Sequence, residues 1–522
     1  MATRPRRALL VQPPFPGTGF WDYRVVCRVA GARYPAAPLG LITVAALLPR
    51  DWELRLVDMN VGPLDDAALD WADLVLTGGM LPQQPGILDV VARARARGRR
   101  VAVGGPDPTS QPALYEAADY LVSGEAEEAM PALLADFAAG VPRGRYAAAE
   151  RPQLAASPVP RFDLLDFDNY LMIGVQFSRG CPFNCEFCDV IELFGRKPRL
   201  KEPAQVLREL EELHRLGYRG HVDFVDDNLI GNRPQARALL AALLAWSGER
   251  GHPFYFSTEA SINLADDPEL LRLMQATDFR YVFVGIESAD PEVLRANRKL
   301  QNVNRTLADD FAAIYRHGIV VNAGFIIGFD TETRESARAI EATVEEGMIP
   351  MAMVGLLSAL PNTQLTRRLE REGRLFPGGF TVAAGDADQT TSGLNFETLR
   401  PREEILADYR HVIEAIYDDR VYFDRVLRLA RALRVRTTHR PGPREAARHA
   451  LGLLRMVRAI GVTTLRARLF WRNVLLLLFT RPSSLETALN LMAMHLHFGP
   501  QARHVAAVAT GRIADAGETA RT

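Results

Sequence analysis

The sequence predicts an α/β fold in three parts. Residues 1–145 form a doubly wound, Rossmann-like domain, a linker covers residues 146–171, a partial barrel of six β/α units covers residues 172–375, and residues 376–522 are mostly helical. Two observations lead to this prediction. Short apolar runs alternate with helical patterns through the first two parts, as in parallel sheets with crossover helices. In the third part only helical periodicity remains.

The composition is that of an ordinary folded protein. The chain has 522 residues, 48% of them hydrophobic, and a formal net charge of -1, which excludes a disordered chain and gives no indication of nucleic-acid binding. Four cysteines in so long a chain argue against a disulfide scaffold and for a reducing, cytoplasmic setting. We expect no export signal and no membrane span, because no apolar run approaches the roughly 20 residues that a span needs.

Apolar runs followed by glycine mark the strands of the N-terminal part. The runs are ALLVQ, LRLVDM, ADLVLTGG, RVAVGG and ADYLVSG, and each of the last three ends in one glycine or two. Doubly wound sheets bind their ligands at such loops, at the carboxyl ends of the strands. Pro152, Pro158 and Pro160 then predict a linker that runs over the surface.

The middle part repeats one unit, a strand followed by a helix. The strand candidates are 172–178, 221–226, 253–258, 281–286, 320–327 and 352–358, and the helical patterns lie near 203–217, 233–249, 268–277, 303–318 and 332–346. Six such units in sequence predict a parallel sheet curled into a partial or full barrel. The active sites of these barrels lie at the carboxyl ends of the strands.

Three cysteines follow the first of these strands at the spacing C-x3-C-x2-C, namely Cys181, Cys185 and Cys188. A structural zinc site normally takes four protein ligands, and this loop contains no histidine. A C-x-x-C redox pair would leave Cys181 unexplained. Three thiolates on one loop suit a [4Fe–4S] cluster, in which one iron then stays open to bind another molecule. Cys27 is isolated, and we expect a buried, inert thiol there.

This loop, placed after the first strand of a β/α barrel, resembles that of the radical S-adenosylmethionine (SAM) enzymes. The resemblance covers about residues 172–375. It implies that SAM chelates the open iron and that one-electron reduction yields a 5′-deoxyadenosyl radical, which removes hydrogen from a substrate C–H bond. It also implies a reducing partner such as a flavodoxin or ferredoxin.

The resemblance implies that SAM-binding residues lie beside the cysteines and at the end of the second strand. Phe187 matches the aromatic position that packs near the adenine. Asp226, Asp227 and Asn228 stand where the family often has Gly-Gly-Glu, which binds the methionine amine. A carboxylate facing an ammonium preserves that chemistry. The alternative for Asp227 is a turn cap.

The later strand ends complete the implied SAM site. Glu259 and Glu287 end the third and fourth strands, and ribose hydroxyls are commonly bound at the third. Gly324 and Gly328 lie in a segment that resembles the family's fifth-strand motif, which contacts adenine, and Pro361 follows the sixth strand, where the family's backbone groups often read the adenine. Each of these carboxylates could instead be a helix cap, and the glycines could be packing positions.

The N-terminal part resembles the cobalamin-binding domain that is fused to one large group of radical SAM enzymes. The matching segments are ADLVLTGGM (72–80), VAVGGPDPT (101–109) and LVSGEAEEAMPALL (121–134). The cobalamin-binding residues implied are Thr77, Gly78, Gly79, Gly104, Gly105 and Glu125. The alternative is another nucleotide-binding doubly wound domain.

No histidine precedes His214 in the chain. Cobalamin domains that ligate cobalt through histidine carry Asp-x-His-x-x-Gly after the first strand, whereas this loop reads VQPPFPGTG. The similar DMNVG segment follows the second strand and has Asn60 instead. We therefore expect no lower histidine ligand from this domain, and hypothesise that an open lower face favours release of methyl as a radical.

The two resemblances together imply a cobalamin-dependent radical SAM methyltransferase. Such an enzyme methylates an unactivated carbon by means of methylcobalamin and the 5′-deoxyadenosyl radical. One alternative is a cobalamin-binding radical SAM enzyme that catalyses a rearrangement, oxidation or cyclisation without methylation. Another is a non-enzymatic metal-binding or membrane-adaptor protein.

The C-terminal part is rich in arginine and leucine. Between Arg425 and Leu485 there are 14 arginines and a single acid, Glu445. Basic amphipathic helices could lie on an anionic membrane surface, or could form a cap with solvated arginines. The three parts in this order resemble the subgroup that includes hopanoid C-methylases, whose substrates are membrane triterpenoids. Methylases of tetrapyrroles and of secondary metabolites share the same core.

Overall fold

The computed structural model describes residues 6–17, 19–378, 380–381, 390–461 and 463–519, with side chains up to residue 514. The strands are β1 (Arg7–Gln12), β2 (Tyr34–Ala36), β3 (Glu53–Asp58), β4 (Leu74–Gly78), β5 (Arg100–Gly104), β6 (Tyr120–Ser123), β7 (Gly144–Ala147), β8 (Tyr170–Val175), β9 (Ser178–Arg179), β10 (Arg199–Leu200), β11 (Gly220–Phe224), β12 (Phe254–Glu259), β13 (Phe279–Glu287), β14 (Val320–Ile327) and β15 (Ala352–Leu356).

The α-helices are α1 (Arg24–Ala30), α2 (Leu39–Ala45), α3 (Asp66–Trp71), α4 (Gln84–Ala96), α5 (Pro106–Ser110), α6 (Ala126–Ala139), α7 (Val190–Leu193), α8 (Pro203–Arg215), α9 (Arg233–Glu249), α10 (Pro268–Ala276), α11 (Pro291–Ala296), α12 (Leu307–Tyr315), α13 (Arg334–Glu346), α14 (Gln364–Arg371), α15 (Arg402–Ile416), α16 (Asp419–Ala432), α17 (Pro443–Ile460), α18 (Leu465–Thr480) and α19 (Leu485–Thr519). The predicted fold class is confirmed: two parallel α/β sheets precede a helical region.

The N-terminal sheet has six parallel strands in the order β3-β1-β4-β5-β6-β7. Alternate side chains of these strands enter two separate apolar layers, as the period of a strand requires. Val75 and Val101 pack in the layer of α4, whereas Leu76 and Ala102 pack in the layer of α6. The strand order reverses between β1 and β4, and the carboxyl ends at such a switch point flank a ligand-binding crevice.

The second sheet has seven parallel strands in the order β15-β14-β13-β12-β11-β8-β2. Six of them belong to the predicted β/α units. The outer strands of the whole sheet, β15 and β2, are not paired with each other among the described residues, so the barrel is partial. The seventh, β2, comes from the N-terminal part and pairs with β8, with Tyr34 opposite Tyr170. Its three residues are too short a run for the sequence pattern to reveal.

Most of the predicted linker is folded against the rest of the chain. It contains short 3-10 helices at Leu154–Ala156, Phe162–Leu164 and Phe167–Asn169. The Phe162 side chain is fully buried. The domain boundaries drawn from the sequence remain predictions, and this segment is better described as packing between two sheets than as a tether.

The C-terminal helices pack on the far edge of the barrel. The Tyr409 and Tyr417 hydroxyls donate to carbonyl oxygens of β15, at 3.1 Å and 2.8 Å. Arg425 is fully buried, pairs with Glu345 of α13 and donates to the Ile416 carbonyl at 2.6 Å. These contacts attach the helical region to the barrel. In the part of the chain that the structure describes, no helix combines the length and apolar character needed to cross a membrane.

Candidate active site

Two adjacent carboxylates after β11 fix the start of the cysteine loop, which is defined here as residues 181–188. Asp226 is fully buried and accepts hydrogen bonds from the Phe177 N–H at 3.0 Å and from the N–H and hydroxyl of Ser178. Asp227 accepts from the Gly180 N–H at 2.7 Å. Burial raises the pKa of Asp226 to about 7 and that of Asp227 to about 6. The structure therefore gives both residues a positioning role. In Asp226, these hydrogen bonds use both oxygens of the carboxylate.

The three loop cysteines are free thiols that share one polar surrounding. Burial raises the pKa of Cys181, Cys185 and Cys188, and the ammonium of Lys299 opposes this rise at all three. The Gln301 amide lies 3.9 Å from the Cys185 sulfur. A nearby cation and amide donors are the environment that an anionic cluster with thiolate ligands requires. These residues fit a [4Fe–4S] cluster.

The described residues include no three His, Cys, Asp or Glu side chains that converge as they would around a single metal ion. A [4Fe–4S] cluster does not require such convergence, because each cysteine binds a different iron. Asn228 lies beside Cys181, and its amide also bonds the Ser261 hydroxyl at 3.2 Å. This residue therefore connects the cysteine loop to the end of β12.

The other implied SAM-binding residues surround the same end of the barrel. Phe187 packs on Phe329, with ring centroids 5.7 Å apart. Glu287 has a left-handed backbone, with φ at 69°, and its carboxylate pairs with the Lys299 ammonium at 2.8 Å. That pairing is not visible in the sequence, because the lysine follows after a helix. The assignments to SAM remain predictions.

The two predicted glycines and the proline occupy different surroundings. Gly324 lies on β14, where an added Cβ would stand 3.2 Å from the Phe283 ring. The Gly328 N–H donates to the Glu332 carboxylate at 3.2 Å. Pro361 is partly buried in the turn before α14. Gly324 therefore faces the interior of the barrel, whereas Gly328 serves the loop that follows β14.

A cavity of about 790 Å³ lies between the carboxyl edge of the N-terminal sheet and the mouth of the barrel. All six predicted cobalamin-binding residues line it, together with Glu259 from the end of β12; the six are Thr77, Gly78, Gly79, Gly104, Gly105 and Glu125. The cavity thus brings together residues that the sequence assigned to different cofactors. Its size is typical of a cofactor or ligand site.

The ends of β4 and β5 approach so closely that only glycine fits. A Cβ on Gly78 would lie 2.0 Å from the Gly104 carbonyl oxygen. Gly105 has φ at 102°, a backbone conformation that side chains disfavour. The Thr77 hydroxyl donates to the Val11 carbonyl at 3.0 Å and ties β4 to β1. The backbone itself therefore forms this wall of the cavity, which fits a cofactor that approaches the main chain.

Glu125 lines the cavity, but its carboxylate is already paired with two arginines. It pairs with Arg179 at 2.6 Å and with Arg199 at 2.5 Å, and its neighbour Glu127 pairs with Arg179 at 2.9 Å. Although burial works against it, Arg179 lowers the pKa of Glu127. Arg179 and Arg199 lie on the short strands β9 and β10, on either side of the cysteine loop. The structure therefore gives Glu125 an interdomain ion pair that the sequence did not indicate.

None of the described residues that line the cavity is a histidine. The loop after β1 contributes aromatic and proline side chains instead, among them Phe15 and Pro16. Asn60, which stands where the similar segment would carry histidine, accepts from the Phe15 N–H at 2.8 Å and donates to Asp58 at 2.8 Å. Its amide therefore holds this loop in place.

The inner face of the barrel carries a polar chain that the sequence analysis missed. Strand parity places His221, Asp223 and Ser257 on the same face as Glu259, which lines the cavity. The His221 Nε2 lies 2.7 Å from the Ser257 hydroxyl, which donates to Asp223. Burial lowers the pKa of His221 to about 3 and raises that of Asp223, so the imidazole is neutral. The sequence did contain a pattern that indicates this chain, since polar residues stand at every second position of β11 and at the end of β12, two otherwise buried strands.

Family models and relatives agree with this geometry. Residues 25–134 match the B12 binding domain, residues 175–343 the radical SAM superfamily, and residues 363–510 a domain of unknown function, DUF4070. An uncharacterised methyltransferase of Synechocystis is 45% identical over 421 residues, or 80% of this chain and 77% of that protein. A hopanoid C-2 methylase of Rhodopseudomonas palustris is 34% identical over 482 residues, or 90% of this chain and 89% of that protein.

The chain belongs to the cobalamin-dependent radical SAM methyltransferases.

A solved structure supports the fold of this methyltransferase. The cobalamin-dependent SAM radical enzyme OxsB, with aqua-cobalamin bound, superposes with a TM-score of 0.61 at 15% identity, over 96% of this chain and 80% of that chain. The cofactors of the methyltransferase are a [4Fe–4S] cluster, SAM and cobalamin, and its reaction is C-methylation of a small molecule.

The first prediction concerns the cluster ligands. We expect the methyltransferase, reconstituted without oxygen, to bind about four iron and four sulfide per chain, and expect alanine at Cys181, Cys185 and Cys188 to remove nearly all of both. Iron and sulfide analysis measures this. Cys27→Ala is the matched control, because Cys27 is a fully buried free thiol elsewhere. Stoichiometric zinc in place of iron would contradict the assignment.

The second prediction concerns the cavity wall. Gly78→Ala places a Cβ 2.0 Å from the Gly104 oxygen, so we expect at least a tenfold loss of cobalamin affinity with iron content unchanged. Visible absorbance of bound cobalamin measures the effect. Gly62→Ala, in the same domain with no atom within 4 Å of the added carbon, is the control. Equal cobalamin binding by the two variants would refute the close-approach argument.

The third prediction concerns Glu259, which is enclosed by the surrounding protein but accessible from the cavity. Its exposed surface faces the cavity, and burial, followed by the charges of Asp223, Asp227 and Asp226, raises its pKa from 4.5 to about 8. The folded state thus holds this proton more tightly than the unfolded chain, so stability falls as the pH rises from 4.5 towards 8.

Glu259→Gln mimics the protonated form. We expect the variant, without SAM, to melt at a higher temperature than wild type at about pH 9 and at the same temperature as wild type at about pH 5. Melting curves by differential scanning fluorimetry test this. Glu249→Gln is the control, because the Glu249 side chain is 73% exposed on the surface. If wild type and Glu259→Gln had the same melting temperature at every pH from about 5 to about 9, the Glu259 carboxyl would titrate at its normal pKa.

Proposed function

We propose that the substrate of this methyltransferase is a hopanoid-like polycyclic triterpenoid, methylated on an unactivated ring carbon. The observation that carries the proposal is the 34% identity with a hopanoid C-2 methylase over 90% of this chain, which includes the helical C-terminal region. We also propose a flavodoxin or ferredoxin as the reductant, and peripheral contact with the membrane that holds such a lipid.

The apolar part of the cavity supports a hydrocarbon substrate. Met172 of β8 and Met353 of β15 line it, and so does Trp21 from the loop before α1. Trp21 packs on Phe283 of β13, with ring centroids 5.3 Å apart. Broad apolar surfaces with flexible thioethers suit a rigid, saturated ring system, because they gain contact area without requiring polar partners.

When bound, the cluster and SAM supply the radical that removes a hydrogen atom, and cobalamin supplies the methyl group. The protein's own residues bind, orient and exclude water. Asp226 and Asp227 hold the backbone before the cysteine loop, and Lys299 offsets negative charge at the thiolates. The chain of His221, Ser257 and Asp223 offers hydrogen bonds inside the barrel, and its neutral imidazole adds no cation there.

Fixing the substrate is the main contribution of such a site. A radical reaction at an unactivated carbon has no charged transition state for the protein to stabilise, so positioning within contact distance determines which hydrogen is removed. The close wall formed by Gly78 and Gly104 and residues of the barrel, among them Glu259, line the same cavity. We propose that the substrate carbon lies between them.

The fourth prediction tests this function. With a low-potential reductant and SAM carrying a deuterated methyl group, we expect a pentacyclic hopanoid in detergent micelles to gain one labelled methyl in place of one hydrogen. S-adenosylhomocysteine and 5′-deoxyadenosine should form in equal amounts, because one SAM donates methyl and another makes the radical. Mass spectrometry measures all three products.

The alternatives give different products. 5′-Deoxyadenosine without S-adenosylhomocysteine would indicate a non-methylating radical reaction. Methylation of a tetrapyrrole, with none of the hopanoid, would overturn the proposed substrate while keeping the methyltransferase. The Cys181→Ala variant is the control, since it should form neither 5′-deoxyadenosine nor a methylated hopanoid.

A further inference from the structure

Helix α18 is apolar on two sides, and one of them has no cover. Phe470 and Leu477 are buried against the rest of the chain, as a packed helix requires. Outside lie Trp471, Leu475 and Phe479 at four-residue spacing, exposed by 42%, 53% and 82%. Leu478 is also exposed. A surface helix normally buries its apolar side and exposes polar side chains on the other.

Helix α17 carries a second exposed apolar group. Leu451, Leu453 and Leu454 are exposed by 52%, 42% and 59%. The helix contacts the protein through a narrow stripe that includes Gly452 and Met456. Clusters of large exposed apolar side chains on a folded protein mark interaction sites. We call the exposed side chains of α17 and α18 the docking face, which comprises Leu451, Leu453, Leu454, Trp471, Leu475, Leu476, Leu478 and Phe479.

Arginines with free charge accompany the docking face. Within the described part of the chain, no carboxylate lies within salt-bridge distance of Arg458, Arg468 or Arg481. The single acid between Arg425 and Leu485 is Glu445, which is buried and bonded to His439 at 3.1 Å. The surface is therefore both apolar and strongly cationic.

We propose that the docking face binds the surface of an anionic lipid bilayer, with the apolar side chains in the interfacial layer and the arginines at the head groups. Helices with this distribution lie in the plane of the interface, since burial of apolar area and attraction to anionic lipid act together. Neither α17 nor α18 is long and apolar enough to cross the membrane. The inference rests on the lipid substrate proposed above, because binding to the bilayer would bring the enzyme to the membrane that holds this substrate.

A second copy of the chain is a poorer occupant than a bilayer. A symmetric dimer would bring the same arginine-rich surface from both copies together, and like charges that face each other across an interface oppose association. Anionic head groups complement the arginines, and acyl chains accept the leucines and Phe479.

The docking face is linked to the cavity through one short helix. Helix α17 packs on α1, and Arg455 donates to the Val29 carbonyl of α1 at 3.4 Å. The loop before α1 contributes Phe20, Trp21 and Tyr23 to the cavity wall. Helix α17 of the docking face therefore contacts the helix that directly follows these aromatic residues of the cavity wall.

The fifth prediction tests the docking face with the full-length, reconstituted enzyme and sucrose-loaded vesicles. We expect the enzyme to sediment with phosphatidylglycerol vesicles and weakly with phosphatidylcholine vesicles, and expect high salt to weaken the binding. L475S/F479S should bind at least tenfold more weakly, because two large side chains lose burial in the interface. L399S is the control, since Leu399 is 67% exposed elsewhere on the surface.

A charge variant separates the two contributions. R458Q/R468Q/R481Q should lose the preference for phosphatidylglycerol and the salt dependence, while L475S/F479S should keep both at lower affinity. Unchanged binding by L475S/F479S, or wild-type enzyme that binds neither vesicle at low salt, would overturn the proposal. So would a dimer that dissociates in L475S/F479S, since the face would then be covered by a second copy.

Assays in detergent micelles distinguish this inference from the proposed function. L475S/F479S should methylate a micellar hopanoid at the wild-type rate and lose activity only on hopanoid in vesicles. Wild-type enzyme that binds vesicles and leaves micellar hopanoid unmethylated would reject the substrate and keep the docking face. Equal activity of wild type and variant on vesicles and on micelles would reject the docking face alone.

Discussion

The arrangement of the whole site depends on a buried group of ion pairs between the two sheets. Glu125 and Glu127, at the exit of the N-terminal sheet, hold Arg179 and Arg199, which bracket the cysteine loop. The Arg199 and Glu125 side chains are only 9% and 4% exposed, so removing Glu125 would leave the charge of Arg199 buried and unpaired, at a cost of about 3–5 kcal/mol. Such ion pairs form in only one relative placement of their partners. Here that placement fixes the distance between the cavity wall and the cysteine loop.

A second constraint is the alternation of side chains along the barrel strands. One face of each strand packs on the surrounding helices, and the other faces the interior, so each strand contributes to stability and to the site at once. On β11, Val222 and Phe224 are fully buried in the core, whereas His221 and Asp223 face inwards. A shift of one residue in register would exchange these roles. The polar chain inside the barrel is therefore protected by the same packing that holds the sheet together.

The sequence predicts those parts of the site that depend on local spacing. The cysteine loop, the strand-end carboxylate Glu259 and the glycines of β4 and β5 were all predicted, because each sits at a fixed offset from an apolar run. Residues whose roles depend on distant partners were missed or assigned differently. Arg179 and Arg199 lie 54 and 74 residues beyond Glu125, and no local pattern connects them. Asp226 was recognised by type and position, but its hydrogen-bond partners follow from how β8 turns towards the cysteine loop.

The short strand β2 has a consequence for how the molecule assembles. It belongs to the first forty residues, yet its partner strand, β8, begins at Tyr170, so this pairing forms only after the whole N-terminal sheet has been made. Contacts of such long sequence separation are late and slow to form, because the intervening chain must be ordered first. The N-terminal part is therefore not a freely swinging module: one of its strands is built into the neighbouring sheet. During synthesis, that strand would stay unpaired until β8 emerges, so this pairing couples the N-terminal part to the barrel.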